Sequence, residues 1–188
     1  MLTKSKLPAE KRLELVHVSL MRQRQFAFFA GLFMVGKTTI EDNPGLTAAT
    51  DGRNAIYGRE FVDTLTDKEL AFLVLHENMH KCYRHLTTWR KLYERNHSLA
   101  NDACDYVINI QLYDMDQHGQ FITMPKHKEG PFIGKAIGLL DERFRGMDAK
   151  QVFDILEDEC EKRRRRGEQE GGNGEGDEIS DTLSDSSG

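Results

Sequence analysis

Apolar positions recur along the chain in more than one rhythm. Leu13, Leu15, Val16, Leu20 and Phe26 to Phe29 fall at roughly helical spacing, and Pro8 stands near the start, where a missing N–H is tolerated. This predicts one long first helix reaching to about Gly31. The next stretch, "LFMVGKTTI" (Leu32 to Ile40), is rich in β-branched and large apolar residues and predicts a strand, closed by the turn cluster "EDNPG". "TAATDGRNAIYG" reads as two short extended pieces about an Asp51-Gly52 turn.

From Thr66 the rhythm is helical again. Thr66 and Glu69 form a T-x-x-E capping box ahead of the apolar run "LAFLVL". No Gly or Pro follows until well past His85, so a long helix carries "HENMH" (His76 to His80) in its interior. A second helix runs through "NDACDYVINIQLYDM" with Asn96 or Ser98 as its cap. After a loop holding Pro125, Gly130 and Pro131, a last helix starts at Asp148, with Gln151 completing an acidic variant of the capping box.

Two strings in this pattern carry possible chemistry. "GLFMVGKT", Gly31 to Thr38, has the spacing of a phosphate-binding loop. Such a loop needs a strand before it and a helix N-terminus behind it. Here the preceding segment reads as helix, the four intervening residues are bulky, and a Pro44-containing turn follows. A core strand ending at a turn accounts for the string better than a nucleotide site does.

"HENMH" has the stronger physical logic. Residues i and i+4 share a helix face, so His76 and His80 can ligate one ion, with Glu77 beside them as general base for a metal-activated water. Two histidines in a core helix can also simply be satisfied by neighbours, but a glutamate in so apolar a segment is costly unless it has a task or a partner. A catalytic zinc needs a third protein ligand. His85, nine residues after His76 at ~100° per residue, falls on the opposite face of a continuous helix, and no Gly follows His80 to reverse the chain. In the second helix Asn101, Asp105 and Asn109 share one face at i, i+4 and i+8. Asp105 is the expected third ligand, with His97 and Asp102 as fallbacks. Asn101 and Asn109 are expected to orient Asp105 or the histidines by hydrogen bonds. Tyr106, Tyr113 and His118 are candidates for stabilising an oxyanion by location alone.

Charge changes this picture only at one end. Of the 188 residues, 38% are apolar and 30% charged, with a net charge of −5. Residues 167–188 hold seven acidic side chains, six glycines and no Lys or Arg, and are expected to be a disordered tail. Removing its −7 leaves residues 1–166 at about +2, one domain of a size that can bury a core. The run "EKRRRR" before the tail reads as the solvated end of a helix rather than a nucleic-acid surface. Cys82, Cys104 and Cys160 make no CxxC pair, no secretory leader opens the chain, and no apolar run reaches the ~18–20 residues of a membrane span. The expectation is a cytoplasmic protein of a bacterial or phage-infected cell, with no membrane or nucleic-acid partner.

Four pieces in order, "AATDGRNAIYGREFV", "LTDKELAFLVLHENMHKCYRH", "NDACDYVIN" and "GLLDERFRGMDAKQVFDIL", span most of residues 48–156. They resemble the metallopeptidase-like domains found beside von Willebrand factor A-like domains in bacteria, and in shorter forms in phages. The resemblance implies a zincin-like α+β fold, with the HExxH helix packed on a second helix and a small sheet. It matches His76, Glu77 and His80 to an active-site motif and Asp105 to the Asp of the second-helix motif. It further implies that Ala48 to Tyr57 lies over the site, where an edge strand could take a substrate peptide by β-augmentation. An acidic tail, rather than a von Willebrand-like domain, is expected to follow this domain. The expected function is a zinc metallopeptidase acting on protein or peptide substrates, with Zn2+ on His76, His80 and Asp105 and Glu77 as base. The alternative is a metal-stabilised scaffold or adaptor without turnover.

Overall fold

A computed structural model describes residues 7–128, 131 and 133–169. Helices dominate, with one small sheet, an α+β architecture. The first helix, α1 (Ala9–Arg22), buries Leu13, Val16 and Leu20 on one face and ends well before Gly31. Gln23 turns extended, and a 3-10 turn (Ala27–Phe29) leads into a one-turn helix, α2 (Ala30–Phe33). The expected single helix is therefore broken, because Phe26 and Phe29 reach the core by folding back rather than by continuing the α1 face.

The expected strand over Leu32 to Ile40 shrinks to β1 (Thr38–Glu41). Met34 and Val35 are exposed, so their apolar character did not mark a core strand. The glycine of the "GKT" string has a backbone task instead. Gly36 takes φ +73, and a Cβ there would stand 2.0 Å from the Arg53 carbonyl oxygen. Lys37 N–H donates to Asn54 Oδ1 at 2.9 Å, which aligns β1 with β3 (Ala55–Gly58). The string serves strand pairing, and no helix stands behind it.

The two extended pieces about Asp51-Gly52 form as expected: β2 (Ala48–Thr50) pairs antiparallel with β3. β1 pairs with β3 in parallel, giving the order β1-β3-β2 with β2 at an edge. Gly58 ends β3 where a Cβ would stand 1.8 Å from the Leu46 carbonyl oxygen, so only glycine fits that approach. A short helix, α3 (Arg59–Thr64), then leads to α4 (Asp67–Tyr83), which starts on the full Thr66/Glu69 capping box.

α4 is the centre of the molecule. It packs against α1, α2, β2 and the later helix α7 (His97–Met115) and buries residues on nearly every face, including Leu70, Val74, Leu75 and Met79. Each such side chain contributes roughly 1.5–3 kcal/mol by leaving water. Its start is held by Arg12 of α1, only 3% exposed. The guanidinium donates to the carbonyls of Val62 (2.8 Å) and Leu65 (2.7 Å) and to Asp67 (2.8 and 3.0 Å).

The long helix does not run past His85 without a break. Arg84 adopts φ 51, ψ 44 and ends α4, and two short helices follow, α5 (His85–Thr88) and α6 (Arg90–Arg95). Asn96 caps α7 (His97–Met115) by accepting from Leu99 N–H. A second apolar cluster joins α7 to α8 (Ala149–Gln169) through Ala100, Ala103, Phe144, Val152 and Phe153. Asp148 and Gln151 exchange hydrogen bonds at the start of α8. That helix extends three residues beyond the boundary expected at 166, and the rest of the acidic tail lies outside the described residues. None of the described helices is long and apolar enough to cross a membrane.

Candidate metal centre

α4 and α7 run past each other with contacts in opposite order, His76 meeting Asn109 and His80 meeting Asp105. The i, i+4 spacing in each helix turns these side chains into the seam between them. His80 Nε2 lies 3.1 Å from His76 Nε2 and 3.0 Å from Asp105 Oδ1, and His76 Nε2 lies 3.5 Å from that same oxygen. Two ring nitrogens and a carboxylate oxygen thus converge, all within 4.8 Å of one another, as a group that could hold a metal ion. The side chains are 13%, 11% and 22% exposed, so the point is reachable but mostly desolvated.

The neighbours fix how these groups point. Asn109, 2% exposed, donates from Nδ2 to the Leu139 carbonyl at 2.9 Å. Its amide orientation is therefore set, and its Oδ1 accepts from His76 Nδ1–H at 2.9 Å. In its neutral form, with the proton held on Nδ1 by this bond, His76 presents the Nε2 lone pair to the centre. Asn101 Nδ2 donates to Asp105 Oδ2 at 3.3 Å and leaves Oδ1 facing the histidines.

Electrostatics follow from this crowding. Burial works to lower the His76 pKa, but the Asp105 carboxylate beside it overrides that and lifts it to about 9. Burial works to raise the Asp105 pKa, yet His76 and His80 hold it well below the ordinary carboxylate range. Glu77, 6% exposed, is pushed up mainly by burial, against the pull of His76 and His80. The charges that meet Glu77 are those of His76, His80, Asp105 and Lys81. The Tyr57 hydroxyl of β3 is buried without a partner among the described residues. Burial and then the Glu77 charge raise its pKa well above normal. Lys81, one turn after Glu77, is 5% exposed and lowered by burial.

The other residues singled out from the sequence stand elsewhere. His97 meets the Tyr93 ring edge, outside the cluster, and Asp102 is not part of it. Tyr106 packs on Phe144 in the second apolar cluster, while Tyr113 is 42% exposed and His118 is exposed. None of these three contacts the cluster among the described hydrogen bonds and ring contacts.

One neighbour the sequence pattern missed is His85. It is 3% exposed, its Nδ1 lies 3.1 Å from His80 Nδ1, and its ring meets the His80 ring edge-on at 5.0 Å. The left-handed Arg84 supplies the chain reversal that the lack of a glycine seemed to forbid. Burial lowers the His85 pKa to about 3, with the charge of His80 adding to that, so its imidazole is neutral. Spacing along one helix could not reveal it, because the helix ends between the two histidines.

The donor set, two imidazoles and a carboxylate with oriented outer partners, suits a first-row divalent ion. No curated protein and no solved structure matches the chain. With a family model matching residues 10–187, the chain belongs to the family described as "Putative metallopeptidase domain", whose chemistry implies a metal ion.

Proposed function

We propose that the protein is a zinc-dependent metallopeptidase in which His76, His80 and Asp105 hold the ion and Glu77 is the general base. The observation that carries this reading is the convergence of Nε2, Nε2 and Oδ1 on one point, beside the buried Glu77 carboxylate, which feels the charges of His76 and His80. Three protein ligands of this type leave a coordination position for water or substrate, the arrangement of catalytic rather than structural zinc. The ion, when bound, supplies a Lewis acid for the scissile carbonyl and a nucleophile at neutral pH. Glu77, whose pKa burial raises, takes a proton from the attacking water and delivers it to the leaving amine nitrogen. Asn109 keeps His76 in the ligating tautomer, and Asn101 keeps Asp105 turned inward.

A peptide substrate fits the position of β2. This strand stands at the edge of the sheet and packs against α4, so a chain added along it would lie near the site. A zincin-like organisation and a cytoplasmic location complete the proposal. A fourth protein ligand closing the site would favour the scaffold reading, and the cluster among the described residues contains three.

Metal analysis with Glu77→Gln tests the function. One zinc per chain is expected, with cleavage of a mixed peptide library by the parent. The variant should keep the zinc and lose roughly 10²–10⁴-fold in rate. A protein that takes up no zinc, or cleavage that survives the substitution, refutes the mechanism.

A further inference from the structure

α4 ends at Tyr83, and the next residue is the sole non-glycine with positive φ among those described. L-residues rarely adopt this left-handed conformation. At Arg84 it swings the chain so that His85 starts α5 and points back at His80. The His85 ring lies against the Tyr83 ring at 5.3 Å with an interplanar angle of 22°, and Tyr83 in turn donates its hydroxyl to Gln111 of α7 at 2.5 Å. The ring is thus held on one side by a stack and on the other by the edge of His80.

Proton counting assigns a role to this contact. Two Nδ1 atoms 3.1 Å apart share room for one hydrogen. His80 Nε2 faces His76 Nε2 and Asp105 Oδ1, so it is the nitrogen that must offer a lone pair if an ion sits there. A neutral imidazole with Nε2 free carries its proton on Nδ1. That hydrogen then lies between the two Nδ1 atoms and can only be accepted by His85, which carries its own proton on Nε2.

We propose that His85 is a positioning residue for the metal centre: its Nδ1 accepts the Nδ1–H of His80 and fixes that ring in the tautomer and plane that ligate through Nε2. This rests on the metal reading above and extends it to a residue outside the motif. His85 does for His80 what Asn109 does for His76. The two ligands on α4 are therefore held by different elements, one by α7 and one by the chain just past the break in α4.

The full-length chain tests this in two ways. Zinc affinity is measured by competition with a chromophoric chelator for the parent, His85→Phe and His85→Gln. Phenylalanine keeps the flat ring against Tyr83 and removes the acceptor, whereas the glutamine amide oxygen can restore it. A loss of about 10–100-fold is expected for His85→Phe, with most of it recovered in His85→Gln. In parallel, the ring nitrogens of the zinc-loaded parent are read by ¹⁵N NMR. His80 should show a protonated Nδ1 and a metal-bound Nε2, and His85 an unprotonated Nδ1. The NMR measurement stands even where the Phe variant fails to fold. A parent that binds zinc while His85→Phe binds it equally well, or a His85 protonated on Nδ1, overturns the inference and leaves the metal site intact. A parent that binds no zinc overturns both.

Discussion

Asn109 is the point where the metal centre and the loop before α8 depend on one side chain. Replacing it with leucine keeps nearly the same volume and deletes both hydrogen bonds. His76 Nδ1–H then has no acceptor in a site where the His76 side chain is only 13% exposed. The neutral, ligating tautomer of His76 needs that N–H satisfied, so the loss falls on metal binding. Removal of an outer partner of this kind costs roughly 10–100-fold in affinity, about 1.4–2.7 kcal/mol. The other bond, to the Leu139 carbonyl, is at a half-buried position that water can reach, so its loss costs about 0.5–1.5 kcal/mol of stability. The loop is close there, since a Cβ on Gly138 would stand 3.1 Å from Asn109 Nδ2. Asn109→Asp separates the two effects. A carboxylate still accepts from Nδ1–H but cannot donate to Leu139, so zinc affinity should match or exceed that of the parent while the melting temperature in chelator falls. Zinc competition and thermal melting with and without chelator read both quantities. If folded Asn109→Leu binds zinc nearly as tightly as the parent, short of the roughly 10-fold loss that marks the low end for such partners, the assigned role of Asn109 is wrong.

Three further outcomes concern the start of α4 and the charges of the cluster. Arg12→Met keeps the aliphatic stem but strips donors from the buried Val62 and Leu65 carbonyls, at about 1–3 kcal/mol each, while the exposed Asp67 partner adds little. A net loss of about 3 kcal/mol is expected in urea unfolding, and less than about 1 kcal/mol would show that Arg12 does not hold the start of α4. For pH, Asp105 raises His76 to about 9, so an ion entering below that value must displace a proton. Zinc affinity should climb with pH up to about 9, by as much as roughly tenfold per unit, and a flat profile refutes the assignment. In the metal-free protein the sign reverses. The His76–Asp105 attraction stabilises the fold fully below the ordinary histidine value of 6.5 and is lost as pH rises through about 9.

The parts of the structure that were readable from the sequence are those set by local rules. The capping box at Thr66, the cap at Asn96 and the Asp148/Gln151 pair each fix a helix start within a few residues, and all three form. The Asn101, Asp105, Asn109 stripe was readable because one helix carries it whole, and the structure brings it against His76 and His80. What was not readable depended on distant partners. Met34 and Val35 look like strand residues but stand exposed, because β1 is aligned by Gly36 against Arg53 and by Lys37 against Asn54. Phe26 and Phe29 look like the end of α1 but fold back to the core. Arg84 carries no local signal for a left-handed residue, so His85 could not be placed by counting turns.

The cluster draws its donors from two helices, with 25 residues separating His80 from Asp105. An ion that joins them therefore acts on the chain as a reversible cross-link, closing a loop that the unfolded polymer would otherwise leave open. Stability then becomes a matter of mass action. A free ion at roughly a hundred times its dissociation constant adds about 2.7 kcal/mol, and a chelator withdraws the same amount. With an ion held by the cluster, the melting temperature of this protein would be a property of its buffer as much as of its sequence.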